Sequence, residues 1–229
     1  MKFAVAILSF NHPHITSRCV RSCLKLVGPN QLYLFHHGTL EKHKEFLKQE
    51  CPNVNHLESD WNKGFSGGAN YLLDYLFETF EWLYFLTNDT ECLSLGAIPQ
   101  EPGLYAPLIW RRKTGIIDSL GGGFYPAEEK IFHLKQEEDW LGDYFKYVPG
   151  TAFLMHKSIW NQVHHFDESL HTYWEDVDFS MRVQKKGLKL TYLKSFELLH
   201  AVGKTCHKDP FYTNELFKRN RTIVSKRWM

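Results

Sequence analysis

The chain has 229 residues, 43% apolar and 23% charged, which is enough to bury a core and excludes a disordered chain. A formal charge of +1 excludes a nucleic-acid binder that relies on basic excess, but leaves nucleotides open, because backbone amides and a metal can hold those. The five cysteines, Cys19, Cys23, Cys51, Cys92 and Cys206, are odd in number and lack CxxC spacing, so they read as core packing.

In chain order, Phe3 to Phe10 is a short apolar run and predicts a strand buried on both faces. Neither a leader of charged, apolar and small residues nor a long apolar run is seen, so a cytoplasmic location is expected. Ile15, Cys19, Cys23 and Val27 follow at helical spacing, opened by Pro13. Leu32 to Phe35 predicts a second strand, Leu40 to Cys51 a helix, and Val54 to Leu57 a third strand. Ala69, Leu72, Leu73, Leu76, Phe77 and Phe80 form an apolar stripe over three turns. That helix opens from the glycine-rich stretch Gly64 to Gly68. Trp82 to Leu86 then predicts another buried strand. Strand and helix alternating in this way imply a mostly parallel sheet with helices on both faces, an α/β fold with a Rossmann-like first half.

From Pro99 to about Pro149 the texture changes, and loops with shorter strands are expected. Thr151 to His156 predicts a strand and Lys157 to Val163 a short helix. Asp176 to Lys186 predicts a helix closed by Gly187, followed by strands at Leu188 to Leu193 and Phe196 to Leu199. The tail from Phe211 to Met229 is aromatic and basic. With no repeat or linker, one domain over residues 1–229 is expected. It divides into a first half (1–98), a second half (99–210) and the tail (211–229).

Four constellations carry chemistry. Asn62 to Asn70 places Gly64, Gly67 and Gly68 between a strand and a helix, where a backbone can approach a ligand closely and a helix N-terminus offers free N–H groups. It is neither GxGxxG nor GxxxxGK[ST], so a dinucleotide enzyme or P-loop NTPase is not indicated. Thr87-Asn88-Asp89 ends a buried strand, the position where open α/β sheets bind ligands, and Asp89 there suits Mg²⁺ or Mn²⁺. Asp167, Glu168, Glu175, Asp176 and Asp178 put five carboxylates within twelve residues, beside Tyr173 and Trp174. Finally, His200 ends an apolar strand, and matters if it converges with Asp89 on one metal.

In this order the motifs resemble the inverting glycosyltransferases of family 2, in particular the bacterial rhamnosyltransferase-like branch. The matching residues are Ser9-Phe10-Asn11, Asn62 to Asn70, Thr87-Asn88-Asp89, Phe166-Asp167-Glu168, Glu175-Asp176-Val177-Asp178 with Arg182, and Arg219-Asn220-Arg221. The resemblance implies a GT-A fold, in which a nucleotide-binding half merges with an acceptor-binding half around one mixed central sheet. It implies transfer of a sugar, with inversion, from a UDP- or dTDP-linked donor to a hydroxyl of a glycan or lipid-linked glycan, in bacterial surface polysaccharide synthesis.

Residue by residue, Asp176 is the implied general base, and Asp89 with His200 the implied holder of Mg²⁺ or Mn²⁺. Ser9, Asn11, Asn62, Gly64, Phe65, Gly67, Gly68, Asn70 and Asn88 are implied on the donor side. Gly122, Gly123, Gly150, Trp174 and Glu175 are implied on the acceptor side. His36-His37-Gly38-Thr39 departs from the family, which has Asp-Asn-x-Ser there with its Asp on the donor base. That departure motivates the alternative of a catalytically inactive homologue that binds nucleotide or glycan within an assembly. The tail is expected to pack on the domain and to offer a peripheral contact with the inner face of the plasma membrane, through Lys218, Arg219, Arg221, Lys226, Arg227, Phe211 and Trp228.

Overall fold

The structure, a computed structural model, describes residues 2–201 and 210–229, and the side chains of all of these except 210 and 211. Cys206 and the side chain of Phe211 therefore lie outside the described residues. In the first half, β1 (Phe3–Ser9), β2 (Leu32–His37), β3 (Asn55–Ser59) and β4 (Trp82–Thr87) pair in parallel in the order β3-β2-β1-β4. The helices α1 (Pro13–Cys23), α2 (Glu41–Glu50) and α3 (Gly64–Phe77) connect them. Alternation along β1 divides the core. Ala4, Ala6 and Leu8 join Ala69, Leu72, Leu73 and Leu76 of α3. Val5 and Ile7 join Cys19, Val20 and Cys23 of α1 on the other face.

The same sheet continues through the second half as β4-β11-β6-β12-β5, with β11 (Ala152–His156), β6 (Leu104–Arg111), β12 (Leu190–His200) and β5 (Thr90–Ser94). β11 runs antiparallel to β4 and β6, which makes the sheet mixed. β7 (Ile117–Ser119) pairs with β6, and β8 (Gly122–Tyr125), β9 (Lys130–His133) and β10 (Phe145–Tyr147) form a small separate sheet. Three helices complete the described elements: α4 (Lys157–Val163), α5 (Glu175–Lys185) and α6 (Pro210–Trp228).

Several local expectations are revised. The eight-residue β6 runs through the middle of the sheet, within the stretch expected to hold loops and short strands. Pro107 hides it, since proline argues against a central strand. Here Pro107 falls between the part of β6 paired with β11 and the part paired with β7, opposite a register shift in β12 after Leu193, so the ladder is interrupted where the N–H is missing. The two strands expected near the end are one strand, β12, bent at that shift. α1 stops at Cys23, one turn before Val27. The glycine-rich stretch at Gly64 is the first turn of α3 rather than a loop before it.

The tail packs on the domain, as expected. Arg227 and Trp228 of α6 both donate to Asp178 Oδ1, Arg227 also reaches Asp167, and Arg221 pairs with Glu129. These arginines are partners inside the fold rather than a solvated basic stripe.

Candidate active site

At the carboxyl ends of β1 and β4 the sheet opens into a cleft of about 430 Å³. This is where an open α/β sheet presents loops rather than regular backbone. Asn62, Gly64, Phe65, Asn88 and Asp89 line it from the donor half, and Gly150, Trp174, Glu175, Asp176 and His200 from the other half. The fold thus brings together the implied base, both implied metal ligands and half of the remaining implied residues.

The other implied residues are near but do not line the cleft. Ser9 is buried against Thr16 Oγ1 at 3.3 Å. Asn11 accepts hydrogen bonds through Oδ1 from Leu40 N and stands 3.2 Å from His43 Nδ1. Asn70 holds the Phe166-Asp167-Glu168 segment: its Oδ1 accepts from Phe166 N, and its Nδ2 donates to Phe166 O and Glu168 Oε1. Gly67 and Gly68 face Lys63, His37 and Leu8 in close helix–sheet packing. Gly122 and Gly123 lie under the rings of Tyr147 and Phe132.

The first turn of α3 does not offer free N–H groups. Gly64 N donates to Asn62 Oδ1, Phe65 N to Thr172 Oγ1, and Ser66 N to His171 O. The donors usually orphaned at a helix start are satisfied by Asn62 and by the segment that precedes α5. Gly64 makes this junction possible, since its φ is +69° and an added Cβ would stand 2.4 Å from His171 O. The loop is therefore a joint between the two halves.

Asp176 sits at the start of α5, in the cleft. Its Oδ2 accepts from Gly150 N at 2.9 Å and its Oδ1 from Val177 N at 2.8 Å. Burial raises its pKa above the usual carboxylate range, and the two amides only partly offset this. Glu175 beside it is raised well above the carboxylate range, by burial first and the Asp176 charge second. Its Oε2 is buried without a hydrogen-bond partner. Burial and the neighbouring charge thus disfavour ionising both carboxyls together, the kind of environment in which neighbouring carboxyls take different roles.

Asp89 is buried, and its Oδ1 accepts from Thr87 Oγ1 at 2.8 Å. Its Oδ2 lies 3.6 Å from His200 Nε2, while His200 Nδ1 lies 3.4 Å from Asp118 Oδ2. Burial alone would lower the His200 pKa, but Asp89 and Asp118 outweigh it and raise it. Asp118 in turn receives Arg111 Nη2 at 2.7 Å. Among the described residues no group of three or more His, Cys, Asp and Glu is arranged to hold a metal. Asp89 Oδ2 and His200 Nε2 are nonetheless close enough to share one ion, and a histidine oriented by a carboxylate on its other nitrogen is the usual metal-ligand arrangement.

Asp118, His133, Tyr147, Thr172 and Phe217 belong to the site or its rim and were not legible from motifs, while Tyr173, seen beside the carboxylates in the sequence, also lines the cleft. Asp118 sits in a short strand whose partner, β6, was itself hidden by Pro107. Phe217 was visible only as one aromatic residue of the tail.

The family expectation meets three comparisons. No protein-family model matches the chain. In sequence it is 24% identical over 245 aligned positions to the N-acetylglucosaminyl-diphospho-decaprenol L-rhamnosyltransferase of Mycobacterium tuberculosis, covering 90% of this chain and 78% of the relative. In fold it is similar to GalNAc-T7, solved with UDP, GalNAc and Mn²⁺, with a TM-score of 0.71 at 15% identity over 96% of this chain. The match covers 47% of the GalNAc-T7 chain, so this chain spans about half that length. Residues 1–349 of S. aureus TarS, solved with UDP, give a TM-score of 0.56 at 13% identity, covering 96% of this chain and 70% of that one. Fold and sequence kinship agree on the GT-A glycosyltransferase architecture that the ordered motifs imply.

Proposed function

We propose that this GT-A glycosyltransferase moves a sugar, with inversion, from a UDP- or dTDP-linked donor to a hydroxyl of a glycan or lipid-linked glycan in bacterial surface polysaccharide synthesis. The observation that carries the reading is one cleft containing a buried, amide-oriented Asp176 on one half and the Asp89–His200 pair on the other. The decaprenol-linked substrate named for the Mycobacterium tuberculosis relative supports a lipid-linked acceptor.

In this mechanism Asp176 removes the proton from the attacking hydroxyl. Its two amide hydrogen bonds fix the carboxylate in place, and its raised pKa makes it a better proton acceptor than an ordinary aspartate. Neutral Glu175 offers its carboxyl O–H to a sugar oxygen, the partner its Oε2 lacks within the fold. Asn88 lines the donor end, held by its own bond from Nδ2 to Thr16 Oγ1 at 2.7 Å. Asp89 and His200 fit a divalent cation, with Asp118 fixing the ring of His200. Mg²⁺ or Mn²⁺ bound there would neutralise charge on the departing diphosphate.

No described helix is long and apolar enough to cross a membrane. A peripheral location at the inner face of the membrane would place the cleft near a lipid-linked acceptor. On α6, Arg219, Arg221 and Arg227 bind other parts of the protein and Lys218 pairs with Glu215 on the same helix, so such contact rests on Lys226, Lys218 and the exposed Tyr212 and Ile223. Flotation with anionic and neutral vesicles at low and high salt tests this separately.

The function itself is tested by a donor screen. Purified protein is given UDP-, dTDP- and GDP-sugars with a lipid-linked N-acetylglucosaminyl diphosphate acceptor, and nucleotide release is read with Mn²⁺, with Mg²⁺ and in excess chelator. Acceptor-dependent release from a UDP- or dTDP-sugar, abolished by chelator, is expected. Nucleotide binding without release from any donor would favour an inactive homologue, and full release in chelator would remove the metal role.

A further inference from the structure

The segment Leu170–Trp174 joins the donor-side helix α3 to the start of α5, and its backbone is unusual. His171, Tyr173 and Trp174 have φ of 59°, 72° and 72°, although none is glycine. Residues with side chains rarely hold such angles unless their surroundings impose them. On one side the segment is fixed by α3, through Ser66 N to His171 O and Phe65 N to Thr172 Oγ1. On the other side, its backbone carbonyls are bonded by one residue of the last helix.

That residue is Asn220, which is fully buried in α6. Its Nδ2 donates to Leu170 O at 2.7 Å, Thr172 O at 2.9 Å and Tyr173 O at 2.9 Å, sharing two N–H groups among three carbonyls. Arg219 Nε donates to Asn220 Oδ1 at 2.9 Å, which fixes the orientation of the amide. Arg219 Nη2 also reaches Ser169 O. One turn earlier on the same face, Phe217 meets Trp174 and Tyr173 edge-on at 5.7 and 5.9 Å and lines the cleft. Leucine at 220 would fill the space but leave Thr172 O and Tyr173 O without the Asn220 donor and Leu170 O with Thr172 N alone, and aspartate would set a carboxylate against them.

We propose that Asn220 is a positioning residue, which holds the strained Leu170–Trp174 segment so that Glu175 and Asp176 enter the cleft at the start of α5. It touches neither donor nor acceptor and acts only through that segment. The proposal rests on the reading of Asp176 as the base. It adds that the C-terminal helix is part of the catalytic apparatus rather than a cover for the core.

The test compares Asn220→Ala and Asn220→Ser with Val224→Ala. Val224 is also buried on α6, in the cluster that holds Leu170 and Trp174, so its truncation is a packing loss against the same segment that removes no hydrogen bond to it and separates the Asn220 bonds from packing. Two measurements are made: hydrogen exchange of the amides of residues 170–176, and steady-state kinetics with the donor identified by the screen. In Asn220→Ala those amides are expected to exchange at least tenfold faster. kcat is expected to fall at least tenfold, with donor KM moving less than threefold. Asn220→Ser keeps one donor and falls between; it carries the comparison if the alanine variant does not fold. Val224→Ala lowers the melting temperature while leaving exchange in the segment and kcat within about twofold. Unchanged exchange in the Asn220 variants would overturn the proposal, as would equal losses in Val224→Ala, or faster exchange with normal kcat. If the wild type transfers no sugar, the reading of the site fails on its own, and unchanged exchange still identifies a failed positioning role.

Discussion

The two ends of the cleft are built on different principles. At the donor end, Asn88 is satisfied by Thr16, Asn70 by Phe166, and the first-turn amides of α3 by Asn62, Thr172 and His171, while His36 Nδ1, His37 Nδ1 and Ser66 Oγ are buried without partners. Positive φ there, outside glycine, is confined to the Asn11–His12 turn. At the catalytic end, three residues of the segment before α5 have positive φ, Glu175 Oε2 and Trp174 Nε1 are buried without partners, and two carboxyls are side by side. The contrast teaches where the molecule concentrates its strain. Unmet hydrogen-bonding capacity occurs at both ends, but the positive-φ backbone outside glycine is densest just before α5, where α3 and α6 hold it.

The sharpest way to separate the two ends is Asp176→Asn. Turnover should drop by about two to four orders of magnitude, the usual worth of a general base, while the dissociation constant for UDP, measured by calorimetry, stays within about threefold. A matching loss of nucleotide affinity would dissolve the division.

A second prediction concerns the donor end and acid. Burial pushes His36 and His37 down to about 4, so both are neutral in the fold. An unfolded histidine titrates near 6.5. The stabilisation from keeping them neutral is therefore complete above about pH 6.5 and is lost as pH falls toward 4. It reaches about 3 kcal/mol per residue at most. The raised Glu175 and Asp176 work in the opposite direction, since their protonation favours the folded state as pH falls. Urea unfolding at pH 7 and pH 4.5 should therefore show a smaller acid loss in His36→Gln than in wild type, and an equal loss would place the acid sensitivity elsewhere.

Asp118→Asn is expected to weaken the apparent affinity for Mn²⁺ by about 10- to 100-fold, the usual effect of removing the carboxylate behind a ligating histidine. An activity titration against the metal reads this, and an unshifted midpoint would remove Asp118 from the site. The smallest effect is expected at the joint. Gly64→Ala meets His171 O and requires an alanine at φ +69°, so stability should fall by about 1–3 kcal/mol in urea unfolding. A neutral outcome would mean that the two halves are not locked together there.

Much of this was legible from the sequence, for identifiable reasons. The parallel half could be read because β1 and β4 are continuous apolar runs and α3 carries a full stripe. The residues ending those strands, Asn88 and Asp89, could then be placed at the cleft by the topology alone. What remained hidden was set by tertiary contact. Pro107 masked β6, and with it the position of Asp118 beside His200. The glycines at Gly64, Gly67 and Gly68 resembled an anion-binding loop, because nothing local shows that Thr172 and His171, more than a hundred residues later, take up its amides. Asn220 stood in a familiar basic triplet, but its three carbonyl partners follow only from the way α6 crosses the segment before α5.

The central claim is direct displacement at the anomeric carbon by a hydroxyl that Asp176 deprotonates. Proton NMR of the transferred sugar tests it most directly, through the anomeric coupling in the new linkage compared with that in the nucleotide donor. Single displacement predicts the opposite anomer in every product molecule. A product with the donor's own configuration would require a different mechanism and would contradict the role given to Asp176.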